Sequence, residues 1–253
     1  MKKGEKMRVI ILAAGKGERL YPMTKNTPKS LLELGGGTTV LESQLENIEK
    51  VGIKDVTIVT GYKTEQIEAK VKDISSLDIT ICYNPFFATS NNLISAWMAI
   101  RETSENFVLV NGDDVFKPHV LEGLLQSNHD ITMVIDRKEN YDPDDMKVVT
   151  DGELVLKVSK EIPLEEANGE SIGMMQFKRK GRLIISETLE RMVRQEEGKK
   201  IFYLAALQRI MDKGYPVHTY ECSPDDWAEI DFHSDLSFIR EHINKYASEI
   251  VNA

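Results

Sequence analysis

The sequence predicts an α/β fold: a Rossmann-like, mostly parallel sheet with helices on both faces and a small antiparallel insertion. Three observations predict it. Short apolar runs of strand length alternate with segments of helical period from residue 8 to residue 135, and that alternation implies βαβ units whose strands are buried on both faces. The first run ends in a glycine-containing loop, at the carboxyl end of a strand, where open α/β sheets bind their ligands. After Met146 the pattern changes to short strands joined through Asp151-Gly152, a pair suited to the positive φ angles of a tight hairpin.

In chain order, Arg8–Ala14 is the first strand, followed by a polar, proline-bearing stretch from Tyr21 to Ser30. Helical periodicity runs from Thr39 to Val51 and stops at Gly52. Val56–Thr60 (strand), Lys63–Lys72 (helix) and Asp78–Tyr83 (strand) come next. Within Ser90–Arg101, Leu93, Ala96, Trp97 and Ile100 fall on one helical face. Phe107–Asn111 and Ile131–Ile135 are strands on either side of a helix at Pro118–Gln126. Met146–Thr150 and Glu153–Ser159 form the hairpin, and Gly173–Lys178 adds a strand. Helices over Gly181–Glu196 and Lys200–Lys213 precede strands at Pro216–Cys222 and Glu229–Phe232 and a last helix at Ser234–Tyr246. No repeat, low-complexity stretch or linker interrupts this order, so a single domain over 1–253 is expected. The antiparallel insertion falls at roughly 140–180 and the C-terminal helix at roughly 234–247.

Composition narrows the function. Of 253 residues, 41% are hydrophobic and 29% charged, enough for a sizeable core and unlike a disordered or collagen-like chain. No apolar run approaches the ~20 residues of a membrane span. The basic N-terminus is followed by an apolar run too short for a secretion signal, ending in glycines and Lys16. A formal charge of −9 argues against nucleic acid as a partner. Cys82 and Cys222 lack metal-ligand spacing and are too few for a disulfide framework. A cytoplasmic protein is expected; whether it forms a homo-oligomer is left open.

The chemistry concentrates in residues 12–30. Gly15 and Gly17 let backbone N–H groups approach a phosphate without interference from a Cβ. Leu20 stands where a dinucleotide fingerprint needs its third glycine, and the Walker pattern is absent. Arg19 and Lys29 are two cations beside the loop, with Pro28 stiffening the backbone before the lysine. Together they can neutralise a triphosphate, or they are ordinary surface charges. Carboxylates follow at the ends of two other predicted strands. Asp113 comes directly after Gly112, and Glu229 and Asp231, two apart on a strand, point the same way. A shared divalent cation would offset the cost of burying them together; as alternatives, Asp113 caps a turn and Asp231 caps the last helix.

The run Leu12-Ala13-Ala14-Gly15-Lys16-Gly17-Glu18-Arg19-Leu20, with Thr27-Pro28-Lys29, resembles the signature of the nucleotidyltransferases that activate sugar phosphates and related compounds. The resemblance implies that Arg19 and Lys29 hold the triphosphate, that Leu12, Ala13 and Ala14 contact the base by their backbone, and that Gly61 and Tyr62 lie on the nucleotide side. It implies Mg²⁺ held by Asp113 and Asp231, with Glu229 as a third ligand. Lys160 matches the lysine of a Glu-Lys-Pro that grips the acceptor phosphate, although Ser159 and Glu161 depart from that pattern. Glu170 and Gly173 fall where relatives line the acceptor pocket. Asn84, Asn91, Asn92 and Ser95 are similar to the phosphocholine cytidylyltransferase branch, with phosphonate and inositol-phosphate cytidylyltransferases nearby. On this resemblance Asn84, Asn91 and Ser95 face the nucleotide and Asn92 the acceptor; as residues at a helix start they are equally suited to capping. Trp227, just before the carboxylates, is the aromatic expected in the acceptor pocket, whereas Trp97 is expected in the core. The acidic run Tyr141–Asp145 either faces a cationic substrate or is simply solvated.

The implied activity is Mg²⁺-dependent transfer of CMP from CTP to a small phosphorylated or phosphonate acceptor with release of pyrophosphate. Lys29, Arg19, Asp113 and Lys160 would be its catalytic groups. The alternatives are a sugar-1-phosphate nucleotidyltransferase using UTP or dTTP, and a non-catalytic nucleotide-sensing domain on the same fold.

Overall fold

The structure, a computed structural model, describes residues 6–241. Strand β1 (Met7–Ala13) leads into three short 3₁₀ turns and a small ribbon of β2 (Glu33–Gly35) and β3 (Thr38–Thr39). Helix α1 (Val40–Lys50) starts at a capping box, in which Thr39 and Glu42 satisfy each other's backbone N–H groups. β4 (Asp55–Thr60), α2 (Thr64–Val71) and β5 (Asp78–Tyr83) follow, then α3 (Asn92–Arg101), β6 (Asn106–Asn111), β7 (Asp114–Phe116), α4 (Pro118–Gln126) and β8 (Ile131–Asp136). The second half consists of β9 (Lys147–Asp151), β10 (Leu154–Ser159), β11 (Gly169–Phe177), α5 (Arg179–Val193), α6 (Ala205–Met211), β12 (His218–Glu221), β13 (Trp227–Glu229) and α7 (His233–Glu241).

Among the described residues, nine strands make the main sheet in the order β5-β4-β1-β6-β11-β8-β12-β10-β9. The α/β class stands, with helices on both faces. Leu93, Ile185 and Leu207 of α3, α5 and α6 pack on one side with Ile10; Leu41, Ile67 and Leu121 of α1, α2 and α4 pack on the other with Val9 and Ile11. The alternation along β1 therefore reads as two buried faces, as a covered sheet requires. The sheet is more mixed than expected. β5, β4, β1 and β6 are parallel, as are β8 and β12, but β11 runs antiparallel between β6 and β8. The small antiparallel piece, the hairpin β9–β10, is continuous with this sheet. It returns to the sheet, and β9 also pairs with the start of β11 through Gly169↔Val148 and Glu170↔Lys147.

Three of the element boundaries that differ from expectation have a reason in the hydrogen bonding. The final strand ends at Glu229 rather than Phe232, because Asp235 accepts from the N–H groups of Asp231 (2.8 Å) and Phe232 (2.6 Å) and turns the chain into α7. Asp235 stands in the first turn of that helix, and any part of the helix beyond Glu241 lies outside the described residues. Helix α3 begins at Asn92 because Asn91 is its N-cap, its side-chain oxygen accepting from the Asn92 N–H at 2.8 Å. The helix expected over Lys200–Lys213 is shortened to Ala205–Met211, since the backbone of 199–203 bonds instead to Asn91 and Asn92.

The centre of the larger apolar layer is the stacked pair Phe107 and Phe177, with ring centroids 5.0 Å apart and both side chains buried. Phe177→Ala should cost about 3–5 kcal/mol of unfolding free energy, measured as a lower urea midpoint; a midpoint like that of the wild-type protein would show the pair to be dispensable.

Candidate active site

A cavity of about 520 Å³ opens at the carboxyl ends of β1 and β6. Its rear wall is the lead of the glycine loop, Leu12, Ala13 and Ala14, and then Gly15 and Gly17. The lead is pinned by its own carbonyls: Gly112 N–H donates to Leu12 O (3.0 Å) and Tyr62 N–H to Ala14 O (3.1 Å). Gly17 has φ +61°, and a Cβ there would stand 3.2 Å from both Lys29 Cβ and Thr24 Cγ2. Glycine lets the loop close down onto Lys29, a fold that Thr24 Oγ1 reinforces by donating to Gly17 O at 2.7 Å.

Lys29 is the electrostatic centre. Its side chain is only 14% exposed, and its Nζ lies 2.5 Å from Asp113 Oδ2 and 2.7 Å from Asp231 Oδ1. Burial alone would lower the lysine's pKa; the two carboxylates outweigh it and hold the ammonium firmly charged. Arg19 reaches Asp231 Oδ2 at 3.1 Å and Asp144 Oδ2 at 3.2 Å. The two cations named from the sequence are thus neighbours across one carboxylate, and both line the cavity.

Asp113, Glu229 and Asp231 come together as expected, although Asp231 arrives from the turn before α7 and not from the strand. Each offers a carboxylate oxygen, and these oxygens lie within 4.8 Å of one another. Burial first, then the charges of Asp113 and Asp231, push Glu229 up to about 8. A carboxylate so costly to ionise beside two others is what a divalent cation relieves, and an all-oxygen set suits Mg²⁺. The residues present therefore fit that ion. Asp114 lies directly beneath, fully buried, its pKa raised first by burial and then by Asp113 and Glu229.

On the opposite wall, Lys160 lines the cavity with its Nζ 3.9 Å from Asp144 and 5.6 Å from the centre of the Phe202 ring. Glu170 lines it too, held by Lys138 Nζ at 2.6 Å. Gly173 sits at φ +78°, where a Cβ would come within 2.1 Å of Asn111 Nδ2; glycine alone lets β11 cross the end of β6 here. Asn84, Asn91, Asn92 and Ser95 all border the cavity. Asn84 is buried, donating through Nδ2 to Ser95 Oγ (2.9 Å) and accepting through Oδ1 from Phe86 N–H (2.8 Å).

Three expected site residues lie off the cavity wall. Gly61 serves packing: a Cβ there would be 2.4 Å from Phe87 Cβ and 2.8 Å from Ala14 O. The Tyr62 hydroxyl donates to Lys25 O, away from the cavity. Trp227 is 8% exposed in the core, because pairing of β13 with β7 turns its indole inward, where Nε1 donates to buried Asp136 Oδ2 at 2.8 Å. Trp97, expected in the core, is only partly buried and donates to Glu190 at 2.7 Å. Conversely, the cavity includes Asp144, Met146, Phe202 and Leu204. Asp144 faces the protein's own cations. Phe202 lay hidden inside an expected helix; the signal that could have separated it is the run Ile201-Phe202-Tyr203-Leu204, apolar at every position instead of at helical spacing.

Glycine loop, paired cations and clustered carboxylates around one cavity define an enzyme that handles phosphate groups. The chain belongs to the Nucleotidyl transferase family, whose pattern matches residues 8–237. It is 32% identical over 123 residues to a choline-phosphate cytidylyltransferase of Streptococcus pneumoniae, an alignment covering 49% of this chain and 52% of that one. It is 23% identical over 254 residues to the CTP:phosphoglutamine cytidylyltransferase of Campylobacter jejuni, covering 91% of this chain and 98% of the relative. Aligned residues thus span about half the length of the first relative and nearly all of the second. Among solved structures, the inositol-1-phosphate CTP transferase of T. maritima superposes with a TM-score of 0.80 over 96% of this chain and 97% of that one, at 22% identity.

The Trp227 assignment can be checked directly. Trp227→Phe leaves the buried Asp136 carboxylate without its indole donor and should lower unfolding free energy by about 1–3 kcal/mol. Chemical denaturation measures this; an unchanged midpoint would refute the bracing role.

Proposed function

We propose that this enzyme is a Mg²⁺-dependent cytidylyltransferase, which transfers CMP from CTP to a small phosphorylated or phosphonate acceptor and releases pyrophosphate. The reading rests above all on the Lys29 ammonium, buried between Asp113 and Asp231 against the glycine loop. This arrangement holds positive charge and metal-ligand oxygens together where a triphosphate would enter. The choice of CTP follows the relatives, whose named acceptors are a choline phosphate, a phosphoglutamine and an inositol phosphate.

An acceptor oxygen attacks the α-phosphorus of CTP in line. The bond from that phosphorus to the oxygen bridging it to the β-phosphorus breaks, and the electron pair leaves with pyrophosphate. The glycine loop and Arg19 orient the triphosphate, and Lys29 balances charge that grows on the leaving group. Mg²⁺, when bound, supplies Lewis-acid polarisation of phosphate oxygens; Asp113, Asp231 and Glu229 would hold it. Lys160 takes the acceptor's anionic group. Asp144, which meets both Arg19 and Lys160, occupies the span between these cations as an anion would, and must yield when substrates bind.

Pyrophosphate release should appear with CTP and Mg²⁺ in the presence of one of phosphocholine, 2-aminoethylphosphonate, inositol phosphate or glucose-1-phosphate. It should vanish with excess EDTA and return on adding Mg²⁺. Turnover with UTP or dTTP and the sugar phosphate alone would overturn the cytidylyl reading. Lys29→Ala and Asp113→Ala should each lower kcat by about 100-fold or more, the scale of one preorganised electrostatic group. Near-normal turnover in either would remove that residue from the mechanism.

A further inference from the structure

Asn91 and Asn92 are more than a helix cap. The segment between α5 and α6 meets them through three hydrogen bonds, although it lies far away in sequence. Asn91 N–H donates to Lys199 O at 2.7 Å, and Asn91 Nδ2 to Lys200 O at 3.4 Å. Tyr203 N–H donates to Asn92 Oδ1 at 3.0 Å, across 111 residues of chain. Tyr203 itself is buried and sits between Phe202 and Leu204, both of which face the cavity. Phe202 is 41% exposed, and the Lys160 ammonium stands 5.6 Å from its ring centre. The wall beside Lys160 therefore has no regular secondary structure of its own and is held in place by the start of α3.

The bond to Tyr203 also settles the polarity of the Asn92 amide. A backbone N–H can only donate, so the atom it meets must be Oδ1, and the Nδ2 group is the part of the amide still available to a ligand. Asn92 borders the cavity. What it can offer there is a donor, which suits an oxygen-rich anion.

We propose that Asn92 is a positioning residue for the acceptor. Its Oδ1 fixes the Phe202–Leu204 wall through the Tyr203 N–H, and its Nδ2 is thereby committed to donating to an acceptor oxygen. This inference rests on the cytidylyltransferase reading for the identity of the acceptor, but the bracing contact does not.

Two substitutions separate the two halves of the amide. Asn92→Asp keeps an oxygen for Tyr203 and replaces the donor with an anionic oxygen; Asn92→Ala removes both. Amide hydrogen exchange at Tyr203, which needs no substrate, should be about tenfold faster or more in Asn92→Ala and close to wild type in Asn92→Asp. In steady-state assays the acceptor KM should rise by about tenfold or more in both variants, with the CTP KM within about twofold of wild type. Wild-type exchange at Tyr203 in Asn92→Ala would overturn the brace. An unchanged acceptor KM in Asn92→Asp, or a CTP KM that rises as far as the acceptor KM, would overturn the acceptor role. If the wild-type enzyme turned over no acceptor with CTP, the functional reading alone would fall, and the exchange comparison would still decide the brace.

Discussion

One ammonium group, that of Lys29, sits between two carboxylates drawn from distant parts of the chain, and the geometry of the cleft follows from that contact. Asp113 is carried by the end of β6 and Asp231 by the turn before α7. The two carboxylates would otherwise repel each other in a partly desolvated space. With the lysine between them they converge, and Arg19 closes the same network from the other side of Asp231. The glycine loop is shaped to this end: the left-handed turn at Gly17 brings the backbone against the Lys29 stem. Charge balance and loop conformation are thus one constraint, and a triphosphate with its metal would enter a site already arranged for both signs of charge.

The cleft has two sides of different construction. The glycine loop side stands on regular parallel strands, whose carbonyl ends fix it chiefly by backbone bonds, with Thr24 Oγ1 adding one to Gly17 O. The opposite side is assembled from the mixed part of the sheet, the acidic loop and the segment before α6. Side chains tie these pieces down. Lys147, almost wholly buried, donates to the carbonyls of Asp142, Pro143 and Asp145; Lys138 joins Asp145 to Glu170. The fixed side offers the features common to handling any nucleoside triphosphate. The side built from side-chain ties is the less regular of the two.

The legible parts of the sequence were those governed by local rules. Strand and helix positions through residue 135 followed from periodicity except for the short β2, β3 and β7, and the loop, Lys29 and the carboxylates followed from residue type and from the resemblance their spacing carried. The losses share a physical cause: each depended on a contact with something remote in sequence. Trp227 read as a pocket aromatic because nothing nearby announces its partner Asp136, on β8. The helix expected from Lys200 is cut short by the amides of Asn91 and Asn92 at the start of α3. The antiparallel character of β11 was equally hidden, since strand direction within a sheet is decided by topology and not by the residues of one strand.

The double pairing of β9, with β10 on one side and the start of β11 on the other, bears on how such a protein can change over time. Because β11 lies between β6 and β8 in the middle of the sheet, the hairpin is woven into the core and does not hang from it. Exchanging it for another would strip the start of that central strand, Gly169 and Glu170, of its pairing with β9. A family built this way would keep its architecture while its sequences drift far apart, as the superposition of 0.80 at 22% identity illustrates.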